Sequence, residues 1–549
     1  MSSKAWERRD FIKSILAGIP LLSLDWDSFP RGKGGPREEP SEGASFDAVI
    51  IGAGLGGLSC GAAFARQGFK PIVLEQHVKP GGYATTFKRP GGFVFDASLH
   101  STTVGERNGL ANLIPGFPEI SDVEFVLHPT LFRVIYPEHD FRIPQKNPQA
   151  LIDTLAGYFP QEKDGIIGLF DDMRGLWADI NRYSQAQGPV DMSTFPKDYP
   201  VLFRVFNKTW GQMVDSRLKE PKLKALVSWL CGYYGLPPSK LSSFYYALPT
   251  IGYLTEGGYY PRGRSQAISD ALVKFITDRG GRVELGTPVE RILTRDHAAV
   301  GVETKDGRLY SGRVVVSNAS APDTFRRMMP GEAEFLKDYL ARLDGYAVSF
   351  SIFQVFLGLK TDLVGKSGLK DSEFAVETRY DPEKEFADMG TGDVETCGYG
   401  LTLYDNVLPG YSPRGKNTVT ITVGQSYDYW LKHEAAYRQG RKENYRKDKE
   451  RMADILVQRV EKTLLPGLRG AVEVREVATP LTNWRYTRNY RGAVYGWDQT
   501  LDNSGNRRLG HATPIKNLYL AGAWTRPGGG YGAVIPSGLE CFAEIMKSW

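Results

Sequence analysis

An apolar run that ends in a glycine-rich turn, a helical pattern closing on an acidic strand end, and a second strand–turn–helix near the last residue together predict an α/β fold. Residues 46–51, FDAVII, read as a buried parallel strand. Gly52-Ala53-Gly54-Leu55-Gly56-Gly57 follows at once, and residues 58–66 carry helical periodicity. This is G-x-G-x-x-G between a strand and a helix, the Rossmann-type dinucleotide turn. Gly52 allows the tight turn, Gly54 lets the backbone approach a diphosphate, and Gly57 lets the helix lie close to the sheet. The free N–H groups and positive dipole of the helix start favour phosphate there. Gly68 closes the helix, residues 71–74 form the next strand, and Glu75 ends it. A carboxylate at that point can accept from both hydroxyls of a ribose.

Further elements continue the pattern. Lys79-Pro80-Gly81-Gly82-Tyr83 forms another glycine turn, followed by Gly92-Phe93-Val94-Phe95-Asp96. Residues 267–276 read as an amphipathic helix, and 282–285, 289–293, 299–302 and 314–316 as strands. Near the end, residues 517–523 are a strand running into a turn at Gly522-Ala523. Residues 524–532 are a glycine-rich loop, and 533–545 a helix that opens with Ala533-Val534.

The glycine turns, the F-x-F-D stretch and the late strand–turn–helix resemble the phytoene desaturase, carotenoid isomerase and retinol saturase group, itself related to flavin amine oxidases. The resemblance implies an FAD-binding domain assembled from residues 46–130, 251–345 and 491–549. An α+β substrate-binding domain would come from 131–250 and 346–490. It also implies that Gly81, Gly82 and Tyr83 approach the diphosphate and ribityl chain, that the backbone of Val289 meets the adenine, and that Gly522, Ala523, Gly532, Ala533 and Val534 meet the diphosphate and the flavin's pyrimidine edge. With Gly52, Gly54, Gly56, Gly57 and Glu75 these are the expected cofactor residues. The chain departs from the group's pattern at Tyr83, where arginine is common, at Ser98, and at Arg262-Gly263-Arg264.

Composition bounds the function. The chain has 549 residues, 41% hydrophobic and 24% charged, as in an ordinary folded protein. Aromatics at 12% fit either a large core or a broad apolar substrate channel. A net charge of +5 with no basic stripe interleaved with aromatics gives no case for nucleic acid. The basic stretch 432–451 reads as a solvated helix face or as a contact for a membrane surface. Cys60, Cys231, Cys397 and Cys541 are far apart, which argues against a zinc site or a disulfide framework. Arg8-Arg9, Phe11 and the apolar run 14–24 resemble a twin-arginine export signal, implying a periplasmic or exported, cofactor-loaded protein; an amphipathic helix with incidental arginines is the alternative. No clear cleavage site follows, so retention as an anchor stays open. Residues 31–45 read as a linker.

His100 is the candidate proton donor or acceptor, against a purely structural histidine. Arg264 is the candidate stabiliser of an anionic reduced flavin, against a surface ion pair. Trp524 and Tyr531 are candidates to wall the flavin ring, against ordinary packing. No metal-ligand cluster and no second dinucleotide turn occurs, so electrons are expected to pass to or from a quinone, dioxygen or a redox protein rather than a nicotinamide. The resemblance thus implies addition or removal of hydrogen at carbon–carbon bonds of an apolar, carotenoid-, retinoid- or polyisoprenoid-like substrate. The rivals are an amine oxidase, a reduced-flavin cis–trans isomerase, and a non-catalytic carrier of an apolar ligand.

Overall fold

The computed structural model describes residues 24, 26–32, 45–98, 100–104, 109–114, 117, 119–120, 123–185, 191 and 193–549. The expected export signal at Arg8-Arg9 and most of the expected linker lie outside the described residues. Trp26, which the sequence reading groups with the leader, is buried with its ring edge-on to Phe117 and stacked near Phe542.

The first sheet has seven strands. Its order is Val289–Arg295, Ala298–Thr304, Leu309–Ser317, Ser45–Ile51, Pro71–Leu74, Arg282–Glu284, with Leu518–Leu520 also paired to Leu309–Ser317. Ser45–Ile51 is parallel to both of its neighbours, and Leu518–Leu520 is parallel to Leu309–Ser317. Both faces are covered, which explains the unbroken apolar runs. Ala48 and Ile50 face the helices Leu55–Arg66, Arg264–Asp278 and Tyr531–Met546. Val49 and Ile51 point the other way, toward Phe325, Trp497 and Trp524. The C-terminal ends of four parallel strands, Ile51, Leu74, Ser317 and Leu520, fall along one edge, the usual mouth of a doubly wound sheet.

The second sheet also has seven strands, in the order Val472–Ala478, Ser351–Leu359, Asn417–Gln425, Tyr399–Thr402, Glu373–Val376, Phe132–Ile135, Asp140–Ile143. Its pairs are antiparallel except Glu373–Val376 with Phe132–Ile135. Ser351–Leu359 is buried along its whole length. Helices from Pro148–Tyr158 to Ser243–Glu256 pack as a third, aromatic-rich cluster against this sheet. The cluster and the second sheet cover the edge where the parallel strands end.

Candidate functional site

One cavity of about 1160 Å³ runs between the two sheets. Ligand pockets commonly span about 300–1,000 Å³, so this one has room for a dinucleotide and a further ligand. Its floor is the turn between Ser45–Ile51 and the helix Leu55–Arg66. Gly52 has φ +94°, and a Cβ on Gly57 would stand 2.2 Å from the Gly52 carbonyl oxygen. Only glycine at 57 therefore lets the helix start so close to the strand. The N-cap, Gly54, has no side chain to satisfy the first N–H groups, so they remain available to an anion. Gly81, at φ +116°, brings the second turn against the first: its N–H donates to the Ala53 carbonyl at 2.7 Å.

Glu75 is braced for a ribose. Its Oε2 accepts from the Ala53 N–H at 2.7 Å and its Oε1 from the His77 N–H at 2.8 Å. Burial raises its pKa above the usual carboxylate value, and those backbone donors oppose the rise. Each oxygen keeps a lone pair beyond its backbone bond. Uncapped helix amides, close glycine turns and this carboxylate on one cavity wall fit FAD, whose diphosphate and adenosine ribose need those groups.

The apolar part of the cavity is lined by Phe132, Trp177, Trp229, Tyr234, Phe244 and Phe374 among others. His100 stands on the same wall, its side chain 15% exposed. Its Nδ1 lies 2.9 Å from Thr402 Oγ1 and 3.5 Å from Glu373 Oε2. Thr402 Oγ1 in turn donates to Glu373 Oε2 at 3.0 Å. A threonine hydroxyl has one hydrogen; given to Glu373, it leaves Thr402 only able to accept from His100. The network therefore assigns the proton of neutral His100 to Nδ1 and leaves the Nε2 lone pair free. Behind this trio, burial depresses His128 to about 4, against the pull of Glu373, so its ring stays neutral.

Gly52, Gly54, Gly56, Glu75, Gly81, Gly82, Tyr83, Val289, Ala523, Gly532, Ala533 and Val534 all line this cavity, as do Trp524 and Tyr531. Gly57 and Gly522 lie just behind the wall. Gly57 packs on Gly52, and the Gly522 N–H donates to Ser537 Oγ at 3.0 Å. Arg264 corrects the sequence expectation: it is not on the cavity wall. Its guanidinium donates to the Tyr411 carbonyl at 2.6 Å and lies over the Tyr411 ring, so it braces a loop instead. Sequence reasoning missed Asn318, Glu373, Thr402 and Arg508. Asn318 follows the Val314-Val315-Val316 run and touches the space above Gly54, Gly56 and Gly522; its position after an apolar strand was the available signal. Arg508 is 1% exposed and donates to the carbonyls of Tyr495, Trp497, Asp498, Asn503, Ala523 and Thr525, fixing the turn that carries Ala523.

Comparison with known proteins agrees with this geometry. Prolycopene isomerase 1, chloroplastic, of an Oncidium hybrid cultivar is 26% identical over 531 residues, covering 94% of this chain and 86% of its own. All-trans-retinol 13,14-reductase of Danio rerio is 26% identical over 539 residues, covering 91% and 86%. An oxidoreductase from Methanosarcina mazei shares the fold, with a TM-score of 0.62 at 18% identity over 90% of this chain and 99% of that one. The family model for flavin containing amine oxidoreductase matches residues 55–546, nearly the entire chain, and so spans the helix after the first glycine turn, the second glycine turn, the covering sheet and the late helix alike. The chain therefore belongs to the flavin-containing amine oxidoreductase family, and its cofactor is FAD.

Proposed function

We propose that this FAD-dependent oxidoreductase adds or removes hydrogen across a carbon–carbon bond of an apolar, polyisoprenoid-like substrate. One observation carries the reading. The cofactor cradle opens directly into an aromatic-lined chamber whose wall presents the oriented imidazole of His100. FAD, when bound, supplies the two-electron exchange. The chain's own residues supply the rest. The aromatic wall holds the substrate by apolar contact and excludes water. His100 Nε2 accepts a proton from substrate carbon in one direction and, as imidazolium, returns it in the other. Glu373 and Thr402 keep Nδ1 protonated so that Nε2 is the working atom. The relatives' names, a carotenoid isomerase and a retinol reductase, support an apolar polyene as the ligand class.

The electron partner in this reading is a quinone, dioxygen or a redox protein. Export through a twin-arginine signal, with a periplasmic location, rests on Arg8-Arg9 and the apolar run behind them. Peripheral membrane contact through the basic stretch 432–451 belongs to the same reading; no helix of the described residues is long and apolar enough to cross a membrane. The test is to extract whatever apolar compound co-purifies with the protein and add it back without air. Bleaching or reoxidation of the flavin supports the proposal; a flavin inert toward every polyene tried defeats it. A second reading, isomerisation on reduced flavin, is favoured by the equal 26% identity to an isomerase and a reductase. A product with the mass of its substrate would establish that alternative.

A further inference from the structure

The cavity rim beside Glu75 carries more positive charge than the surrounding chain neutralises. Helix Pro480–Thr487 lies over this end: Gln76 Nε2 donates to the Tyr486 carbonyl at 3.2 Å, and the His77 ring meets the Tyr486 ring edge-on. Its C-cap is Arg488. Arg488, Arg485, Arg327, Lys442 and Arg446 all line the cavity. Among the described residues, the ion pair within this group is Arg327 with Asp323, at a loose 3.9 Å. Asp323 is thus the carboxylate that Arg327 and Arg488 share. Burial, and then the neighbouring Arg327, Arg438 and Arg485, hold the Arg488 guanidinium below its ordinary value. Lys442 is lowered likewise, by burial and then by Arg485 and Arg446.

The loop that presents this charge is strained and tied down. Arg488 sits at φ +54° and Arg491 at φ +55°, a left-handed conformation that side chains other than glycine resist. Such strain persists where the surroundings over-determine it, and it gathers at ligand clamps. Here the Tyr83 hydroxyl donates to the carbonyls of Gly492 and Ala493 at 3.3 and 3.2 Å, and Arg491 pairs with Asp428. Tyr83 therefore fastens the Gly81–Gly82 turn of the cradle to the loop carrying Arg488. This strained set of cations on the wall of a dinucleotide cavity, with one carboxylate shared by Arg327 and Arg488 and the Trp484 ring 4.7 Å from the Arg488 guanidinium, is short of negative charge.

We propose that Arg488, with Arg327 and Arg485 beside it, is a cationic clamp for the diphosphate of the bound dinucleotide, a second anion-binding element distinct from the start of helix Leu55–Arg66. The inference rests on the reading of this cavity as the FAD site. It assigns Tyr83 as the positioning residue of the clamp rather than a direct contact of the diphosphate or ribityl chain.

The test titrates apo-protein with FAD and, separately, with uncharged riboflavin, following flavin fluorescence over a series of salt concentrations. Arg488→Gln is expected to weaken FAD at least about tenfold and to flatten the dependence of affinity on salt, leaving riboflavin unchanged. Arg488→Lys should keep part of both effects, because it keeps the charge and loses the planar fork. The thermal midpoint of the ligand-free Arg488→Gln protein should equal or exceed the wild type's, since repulsion is relieved; this also guards against a folding defect. Wild-type FAD affinity in Arg488→Gln at every salt concentration overturns the clamp. So does an equal loss for FAD and riboflavin, which would mean that the side chain only shapes the cavity. Failure of the wild type to bind FAD at all removes the cofactor reading and the clamp together.

Discussion

At the scale of single residues, the working parts are held by groups remote in sequence. His100 is oriented by Thr402 and Glu373, and both contacts are made from the covering sheet. Loss of a positioned acid–base group costs about 10²–10⁴ in rate, so His100→Asn should lower turnover by that order while the protein stays yellow. Turnover at the wild-type level would remove His100 from the chemistry. Glu75→Ala removes a carboxylate that braces two backbone amides and faces the ribose. It should weaken FAD by about 10- to 100-fold, the worth of a charge-assisted hydrogen bond, as read by flavin fluorescence. His100 and Glu75 could be picked out as candidates in the sequence because each comes just after a recognisable strand, Phe93–Asp96 and Pro71–Leu74. Glu373 and Thr402 were not. Nothing local marks a carboxylate whose partner lies on another strand, and pairing of Glu373 with Thr402 is a property of sheet register. Arg264 misled for the converse reason: its position beside a glycine suggested a ligand, while the fold gave it the Tyr411 carbonyl.

At the scale of elements, glycine geometry and one buried carboxylate set the tolerances. Gly57→Ala would drive a methyl into the Gly52 carbonyl oxygen, 2.2 Å away, and should yield colourless protein; a yellow variant would show that the helix can retreat. Asp96 ends the strand Phe93–Asp96, where it accepts from Tyr260 and Ser265 and ties that strand to helix Arg264–Asp278. Burial pushes its carboxyl up to about 6, against about 3.9 in an unfolded chain. The folded state binds this proton more tightly. The associated stability is therefore full below about pH 4 and lost as pH rises through about 6. The difference is on the order of 3 kcal/mol. Asp96→Asn should remove this contribution to the pH dependence of the denaturation midpoint between about pH 4 and 6. An unchanged profile would refute the assignment. Elements of the first sheet were legible because apolar runs, glycine turns and helical periodicity mark them. Strands such as Glu373–Val376 and Tyr399–Thr402 were not, being four residues long and without alternation that a window can detect.

At the scale of the molecule, the two sheets are not independent bodies joined by a linker. The cavity draws residues from the first sheet's turns, from the helical cluster and from the covering sheet, so FAD seated there would touch more than one layer at once. Saturation at about a hundred times the dissociation constant should stabilise the native chain by about 2.7 kcal/mol, raising a single thermal transition. A separate transition unaffected by FAD would show that part of the chain melts alone. The return of a helix and strands at residues 267–316, and of strand–turn–helix at 517–545, is the sequence signal for segments that come back to the first sheet. How the covering segments join into one mixed sheet was not, because that order depends on pairings between strands far apart in the chain.

The late helix Tyr531–Met546 lies across the early helix Leu55–Arg66 at Gly538, where a side chain would stand 2.1 Å from Ser59 Oγ and 2.2 Å from the Gly56 carbonyl; Ser59 Oγ also donates to the Ile535 carbonyl at 2.9 Å. During synthesis, then, the nascent chain emerges from the ribosome with its first dinucleotide turn complete but unsupported. The wall that closes it is translated only after every strand of both sheets. Capture of the cofactor should follow synthesis of that helix, and any nonsense codon upstream of Tyr531 should leave a product that cannot retain it.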